Sequence, residues 1–176
     1  MILLTLLIAV LLFLVLGLFR THSTANKLAG LSWEELIAKL EPVETEAITT
    51  VAVEYLNPGK SQAWLGPDEM WNMIGRADGL ARMRANADVL IAIAAHAQRW
   101  NPAEGVIVAE QMRQDGLALR RAVVGIGLGM TCGYGKVRVP NYVREAAGTY
   151  YLMRQRLLAL HEASQPWRYA SLAAVL

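Results

Sequence analysis

Cysteine and histidine are scarce in this chain, which has one cysteine, Cys132, and three histidines among its 176 residues. A single cysteine excludes an internal disulfide and fits a reducing compartment. None of His22, His96 and His161 is followed four residues later by a histidine, cysteine or carboxylate, so no local spacing supports a metal site. The CxxCH motif for haem attachment is also missing. The sequence therefore predicts no metal and no cofactor.

A strong charge of one sign is missing too, because the formal net charge is only +2. This balance gives no global electrostatic reason to expect nucleic-acid binding, and we predict no nucleic-acid partner. The charges are nevertheless separated along the chain. Residues 33–54 carry six acids and one base, whereas residues 113–156 carry eight bases and two acids.

Two interpretations of this separation stay open. Either the two segments face each other or water, or the basic residues form a surface near anionic lipid head groups, where each is worth about 1 kcal/mol. The basic residues in question are Arg113, Arg120, Arg121, Lys136, Arg138, Arg144, Arg154 and Arg156.

Charge and proline are absent from residues 1–19, MILLTLLIAVLLFLVLGLF. As a helix, residues 2–19 extend about 27 Å, close to the bilayer core of about 30 Å, and we predict a single transmembrane anchor at residues 1–20. A signal peptide usually opens with a basic residue and has an apolar core of about 7–15 residues. This segment has neither feature, which favours a retained anchor. The alternative is cleavage near Ala25 and export of the remainder.

Basic residues lie only after the apolar segment, at Arg20 and Lys27. The positive-inside tendency therefore predicts a single-pass protein of the cell membrane whose C-terminal domain is cytoplasmic.

The remaining chain has helical patterning. Residues 21–31 are predicted to be a juxtamembrane linker and residues 32–176 a compact all-α domain of about five helices. Ser32 and Glu35 have the spacing of a capping box. Pro67 begins a helix that meets no breaker stronger than single glycines for about thirty residues, and its apolar part, residues 89–97, is predicted to be buried and central. A last long helix is predicted to start at Pro140 and to end before Pro166.

One internal similarity accompanies this pattern. Residues 76–84, RADGLARMR, match residues 113–121, RQDGLALRR, at six of nine positions. The match indicates either a duplicated helical unit or chance in a chain rich in alanine and arginine.

The stretch VVGIGLGMTCGYGK, residues 123–136, resembles a chemical motif but fits none. A P-loop requires glycine where Met130 stands and serine or threonine where Val137 stands. A dinucleotide fingerprint ending at Cys132 closes on the wrong residue.

Two structures remain for this stretch, a hairpin or a helix. We favour a helix to about Met130, followed by an irregular loop to Pro140. In a helix Gly125, Gly129 and Gly133 share one face and allow another helix to approach closely, within the domain or from a partner.

No pattern marks an enzyme, since no carboxylate pair stands out and Cys132 has no base near it in sequence. We therefore expect a membrane-anchored interaction or scaffolding subunit, with the bilayer and either a protein partner or a second copy as its contacts. The alternative is an anchored enzyme or small-ligand-binding domain with a pocket beside residues 89–97.

Overall fold

Helices account for most of the residues that the computed structural model describes, which are 27–57, 65–131, 135–164 and 166–176. None of these residues lies in a strand, which confirms the all-α prediction. After a short helical stretch at residues 27–29, seven helices follow: α1 Trp33–Ile37, α2 Thr45–Leu56, α3 Pro67–Met73, α4 Arg76–Ala97, α5 Pro102–Thr131, α6 Gly135–Ser164 and α7 Pro166–Val175.

The predicted anchor at residues 1–20 lies outside the described residues, as do the candidate cleavage site near Ala25, Cys132 and Gly133. Among the helices of the described ranges, none combines the length and the apolar character needed to cross a bilayer. Leu28, in the segment predicted as a linker, is buried in the core.

The capping box at the start of α1 is confirmed. The Ser32 backbone N–H donates to Glu35 Oε2 at 2.7 Å, and the Glu35 N–H donates to Ser32 Oγ at 3.3 Å. This reciprocal pair satisfies two of the donors that a helix start leaves unpaired. Trp33 and Leu36, on the inner side of this short helix, are buried.

The prediction of a single long helix after Pro67 is wrong, because the helix ends before Gly75 and a second helix begins after it. Gly75 has φ +80° and Arg76 has φ +56°, both in the left-handed region that ends a helix. The two resulting helices, α3 and α4, meet so closely that a Cβ on Gly79 would lie 1.7 Å from the Ile74 carbonyl oxygen. Only glycine permits this contact between backbones.

The helix predicted to about Met130 is observed as the end of α5, but the irregular loop predicted up to Pro140 is wrong. Helix α6 begins at Gly135 and carries Pro140 inside it. Proline removes one backbone hydrogen bond, which its own N–H would have donated four residues back. Since that bond belongs to the start of a thirty-residue helix, the rest of α6 keeps its bonding pattern.

Helix α6 is the centre of the bundle and packs against α2, α3, α4, α5 and α7. Its buried residues recur every three or four positions, which keeps them on one side of the helix. They include Val143, Ala146, Ala147, Tyr150, Met153 and Leu157. In the apolar segment predicted to be central, Leu90, Ile93, Ala94 and Ala97 are fully buried, so α4 supplies the core from its second half.

The two similar segments occupy different places in this bundle. Residues 76–84 begin α4, whereas residues 113–121 lie in the middle of α5. Asp115 pairs with Arg156 of α6, while Arg82, near Asp78 in sequence, donates to the Pro42 carbonyl.

A buried amide joins three parts of the fold. Asn86 of α4 is 1% exposed, and its Oδ1 accepts from the Glu41 N–H at 2.8 Å. Its Nδ2 donates to the Glu41 carbonyl at 2.7 Å and to the Tyr150 hydroxyl at 3.1 Å. Burial raises the pKa of Tyr150, which therefore stays a neutral phenol in the core. The segment between α1 and α2 is thus fastened to α4 and α6.

We expect Asn86→Ala to lower the free energy of unfolding by about 2–4 kcal/mol, because both backbone groups of Glu41 and the Tyr150 hydroxyl lose a partner. The matched control is Asn72→Ala on the exposed side of α3, which should cost less than about 0.5 kcal/mol. Urea unfolding of the full chain measures both. Equal losses in the two variants would contradict the role of the Asn86 amide.

We also expect Gly79→Ala and Gly127→Ala to change stability in opposite directions. The first places a Cβ against the Ile74 carbonyl and should cost about 1–3 kcal/mol or more. The second adds a methyl in open space on α5 and should stabilise the chain by up to about 1 kcal/mol, since alanine is the better helix former. Melting temperatures of both variants beside the parent decide the matter.

Candidate functional site

An apolar groove of about 470 Å³ lies between α3, α4 and α5. Residues 77–85 of α4 form its floor, and the end of α5 forms its far side. These α4 residues precede residues 89–97, beside which the sequence predicted a pocket. The lining residues are Trp71, Ala77, Leu80, Ala81, Arg84, Ala85, Val123, Ile126, Gly127 and Met130.

Small residues explain why a groove exists there. Ala77, Ala81 and Ala85 recur every four positions, so they share one face of α4. Gly127 stands across from them and offers no side chain at all, while larger side chains such as Trp71 and Met130 complete the lining. The alanine spacing was visible in the sequence, but only the break at Gly75 brings α3 and its Trp71 to this face.

The solvent side of α5 carries exposed apolar residues beside exposed charges such as Arg121. Leu117, Val124 and Leu128 are 62%, 57% and 59% exposed, and their spacing of seven and four residues places them on one face. Met130, itself 50% exposed, belongs to the groove lining. Apolar residues grouped in this way on a solvent face are typical of an interaction surface.

One charged side chain lies on the groove. Arg84 is exposed and forms no hydrogen bond or ion pair with any of the described residues. The groove therefore combines an apolar floor with an available cation at its edge.

The glycines singled out in the sequence fall in different surroundings. A Cβ on Gly125 would lie 2.7 Å from the Tyr142 ring of α6, so α5 and α6 approach closely at this point. Gly129 is buried, and Gly133 lies outside the described residues. Gly127 has open space around it.

Most arginines of the basic segment form ion pairs, and four of these pairs join different helices. Arg144 of α6 pairs with the buried Glu54 of α2 at 3.0 Å, which brings the acidic and basic segments together. The other interhelical pairs are Arg120–Asp88, Arg121–Glu145 and Arg156–Asp115, and Arg113 pairs with Glu110 within α5 at 3.2 Å. The side chains of Lys136 and Arg138 lie outside the description.

Arg154 differs from these arginines because it is only 6% exposed. Burial lowers the pKa of its guanidinium. An arginine in that position faces the core, so it adds nothing to an outer basic surface.

The histidines of the described part lie close to tryptophans. His161 of α6 is fully buried, and its Nδ1 lies 2.9 Å from the Leu157 carbonyl oxygen. Since a carbonyl only accepts, Nδ1 carries the proton. Burial lowers the pKa of His161, and Arg168 and His96 lower it further, against the opposing effect of the Leu157 bond. Burial is also the main cause of the lowered pKa of His96, followed by Arg99 and Arg168, while Glu34 opposes the shift.

Comparisons with family models, with curated proteins and with solved structures find no match to this chain.

Below about pH 6.5 we expect the chain to lose stability, and His161→Phe should reduce that loss. A histidine whose pKa is lowered from 6.5 in the folded state binds fewer protons there than in the unfolded state. Its contribution is present above pH 6.5 and is lost as the pH falls toward the folded-state pKa. Urea unfolding at about pH 7.5 and about pH 5.5 measures the difference. An unchanged difference in the His161→Phe variant would refute the assignment.

Proposed function

We propose that this chain is a helical interaction subunit of a membrane-associated assembly, and that its groove between α3, α4 and α5 receives an amphipathic helix of a different protein. The observation that carries the proposal is the open apolar groove of about 470 Å³ between these three helices.

The form of the groove favours a helix as its occupant. A floor of alanines and one glycine between two helices admits the side chains of a third helix, which would insert apolar residues at positions i, i+3 or i+4, and i+7. Burying such residues contributes about 25 cal/mol for each Å² of apolar surface removed from water. Leu128 and Val124, more than half exposed, would be covered by the same partner.

Charge determines the rest of the partner's chemistry. Arg84 at the groove has no carboxylate partner among the described residues. A partner helix with an aspartate or glutamate beside its apolar row would supply one, and such a contact adds specificity and register more than affinity.

Membrane association is a further part of the proposal and is supported by residues 1–20, which are apolar enough to form an anchor. The helical domain would then be cytoplasmic, since Arg20 and Lys27 follow the segment. Anionic head groups could be additional contacts of the basic segment, residues 113–156. N-terminal sequencing of the mature chain distinguishes a retained anchor from cleavage near Ala25.

The groove is tested by a photocrosslinking amino acid placed at position 81, on its floor, and at position 103, on an exposed part of α5 away from it. In native membranes, position 81 should crosslink to a different protein, through a peptide with an apolar helical row and an acidic residue. Gly127→Leu, which fills the groove from open space, should abolish this product, and Arg84→Glu should weaken it at least about tenfold.

Ala103→Leu is the matched control, because it adds the same kind of side chain to α5 outside the groove. It should leave the crosslink unchanged. Equal crosslinking at positions 81 and 103, a product that survives Gly127→Leu, or a product made of two copies of this chain would overturn the proposal.

A further inference from the structure

Beyond the groove, five side chains from distant parts of the sequence form one cluster near the other end of α4. The His161 ring lies 4.9 Å from the Trp33 ring and 5.4 Å from the Trp100 ring, measured between centroids. His96 lies 6.4 Å from Trp33, and the Arg168 guanidinium carbon lies 5.0 Å from the Trp33 centroid. Each member therefore touches Trp33 or His161.

Several polar atoms of this cluster are buried and have no hydrogen-bond partner in the part of the chain that the structure describes. They are Nδ1 of His96, Nε1 of Trp100, Nε2 of His161, and Nε and Nη1 of Arg168. A buried polar group without a partner is costly, and native proteins rarely leave one unpaired. Four members of one cluster share this condition, and one partner that reached all of them would satisfy it.

The unpaired atoms define what that partner must offer. The N–H groups of Trp100 and Arg168 can only donate, so they require acceptor oxygens. Arg168 carries a positive charge, and none of the five ion pairs among the described residues includes it. The acceptor group should therefore be an anion.

His161 adds a second requirement. Its Nδ1 donates to the Leu157 carbonyl, so in the neutral ring Nε2 presents a lone pair and accepts. His161 is fully buried, and burial favours that neutral form. The partner must therefore carry an O–H donor as well as anionic oxygens.

We propose that this cluster, formed by Trp33, His96, Trp100, His161 and Arg168, binds a phosphate group that carries at least one proton, either inorganic phosphate or a singly protonated monoester. Its anionic oxygens accept from Arg168 and Trp100, and its P–OH donates to His161 Nε2. A carboxylate or a sulfate near neutral pH offers oxygens but no O–H, and would leave the His161 lone pair facing another lone pair. The cluster is built from residues outside the groove, so this proposal does not depend on the proposed partner helix.

The first experiment uses the full-length chain and inorganic phosphate at constant ionic strength, with sulfate and chloride as comparators. Because two members of the cluster are indoles and the other three lie against Trp33, phosphate should change tryptophan fluorescence. It should also raise the melting temperature, since a ligand that binds the folded state stabilises it by RT ln(1 + [L]/Kd). Sulfate should act like chloride. Broadening of the phosphorus-31 resonance of phosphate provides a second readout that needs no variant.

Matched variants locate the binding. Trp100→Phe keeps an aromatic ring but removes the indole N–H, and Arg168→Gln removes the charge. Each should weaken phosphate binding by about tenfold or more. Arg168→Lys, which keeps the charge and loses the planar fork, serves if Arg168→Gln fails to fold. The same substitutions in the groove, Trp71→Phe and Arg84→Gln, should leave phosphate binding unchanged.

A further arm separates a free phosphate from a lipid head group. Bilayer discs containing phosphatidic acid, whose head group is a phosphate monoester, are compared with phosphatidylcholine discs. A change in fluorescence or melting temperature with free phosphate supports the proposal and indicates a soluble phosphate. A change with phosphatidic acid discs alone also supports it and indicates a lipid head group. Equal responses to phosphate, sulfate and chloride together with no preference for phosphatidic acid would overturn it, as would unchanged affinity in Trp100→Phe and Arg168→Gln.

Discussion

The side-chain amide of Asn86 fixes the arrangement on which the rest of the bundle depends. The chain between α1 and α2 has backbone groups that no helix can satisfy, and Asn86 bonds both groups of Glu41 while it also donates to Tyr150. Such a network is satisfied in one register only, because turning α4 by one residue rotates the amide by about 100°. Apolar packing by itself tolerates many registers, whereas a buried polar network that is fully bonded selects one.

Around this fixed register, the small residues determine how closely the helices approach. Gly79 lets α3 and α4 meet backbone to backbone, and Gly125 brings α5 to the Tyr142 ring of α6. Where small residues lie on a face that has no neighbour, the same property produces a concave surface. Ala81 and Gly127 on the groove illustrate this second case. Close packing and the candidate docking site thus have a common physical origin.

The sequence predicted the helical class, the capping box at Ser32 and the helix through residues 123–130, because these depend on local periodicity and local hydrogen bonds. It did not predict the break at Gly75, since a glycine inside a periodic pattern can either be tolerated or end the helix, and tertiary contact between Gly79 and Ile74 decides. At Pro140 the error was the reverse, since the sequence predicted a helix start where the helix in fact continues. The helix tolerates the loss of the one backbone hydrogen bond that proline cannot donate. The Trp33–His161 contact joins residues more than a hundred positions apart, and nothing in local spacing announces it.

The ion pairs of α5 have a consequence for how the length of this chain can vary during evolution. Asp115, Arg120 and Arg121 bind carboxylates or guanidinium groups on two different helices, α4 and α6. One residue inserted between Gly105 and Asp115 would turn all three by about 100° and separate them from their partners at once. Selection should therefore remove insertions in this segment, whereas the exposed first turn of α5 and the turns between helices should tolerate them. Related chains, when aligned by their helices, should differ in length outside this segment and agree within it.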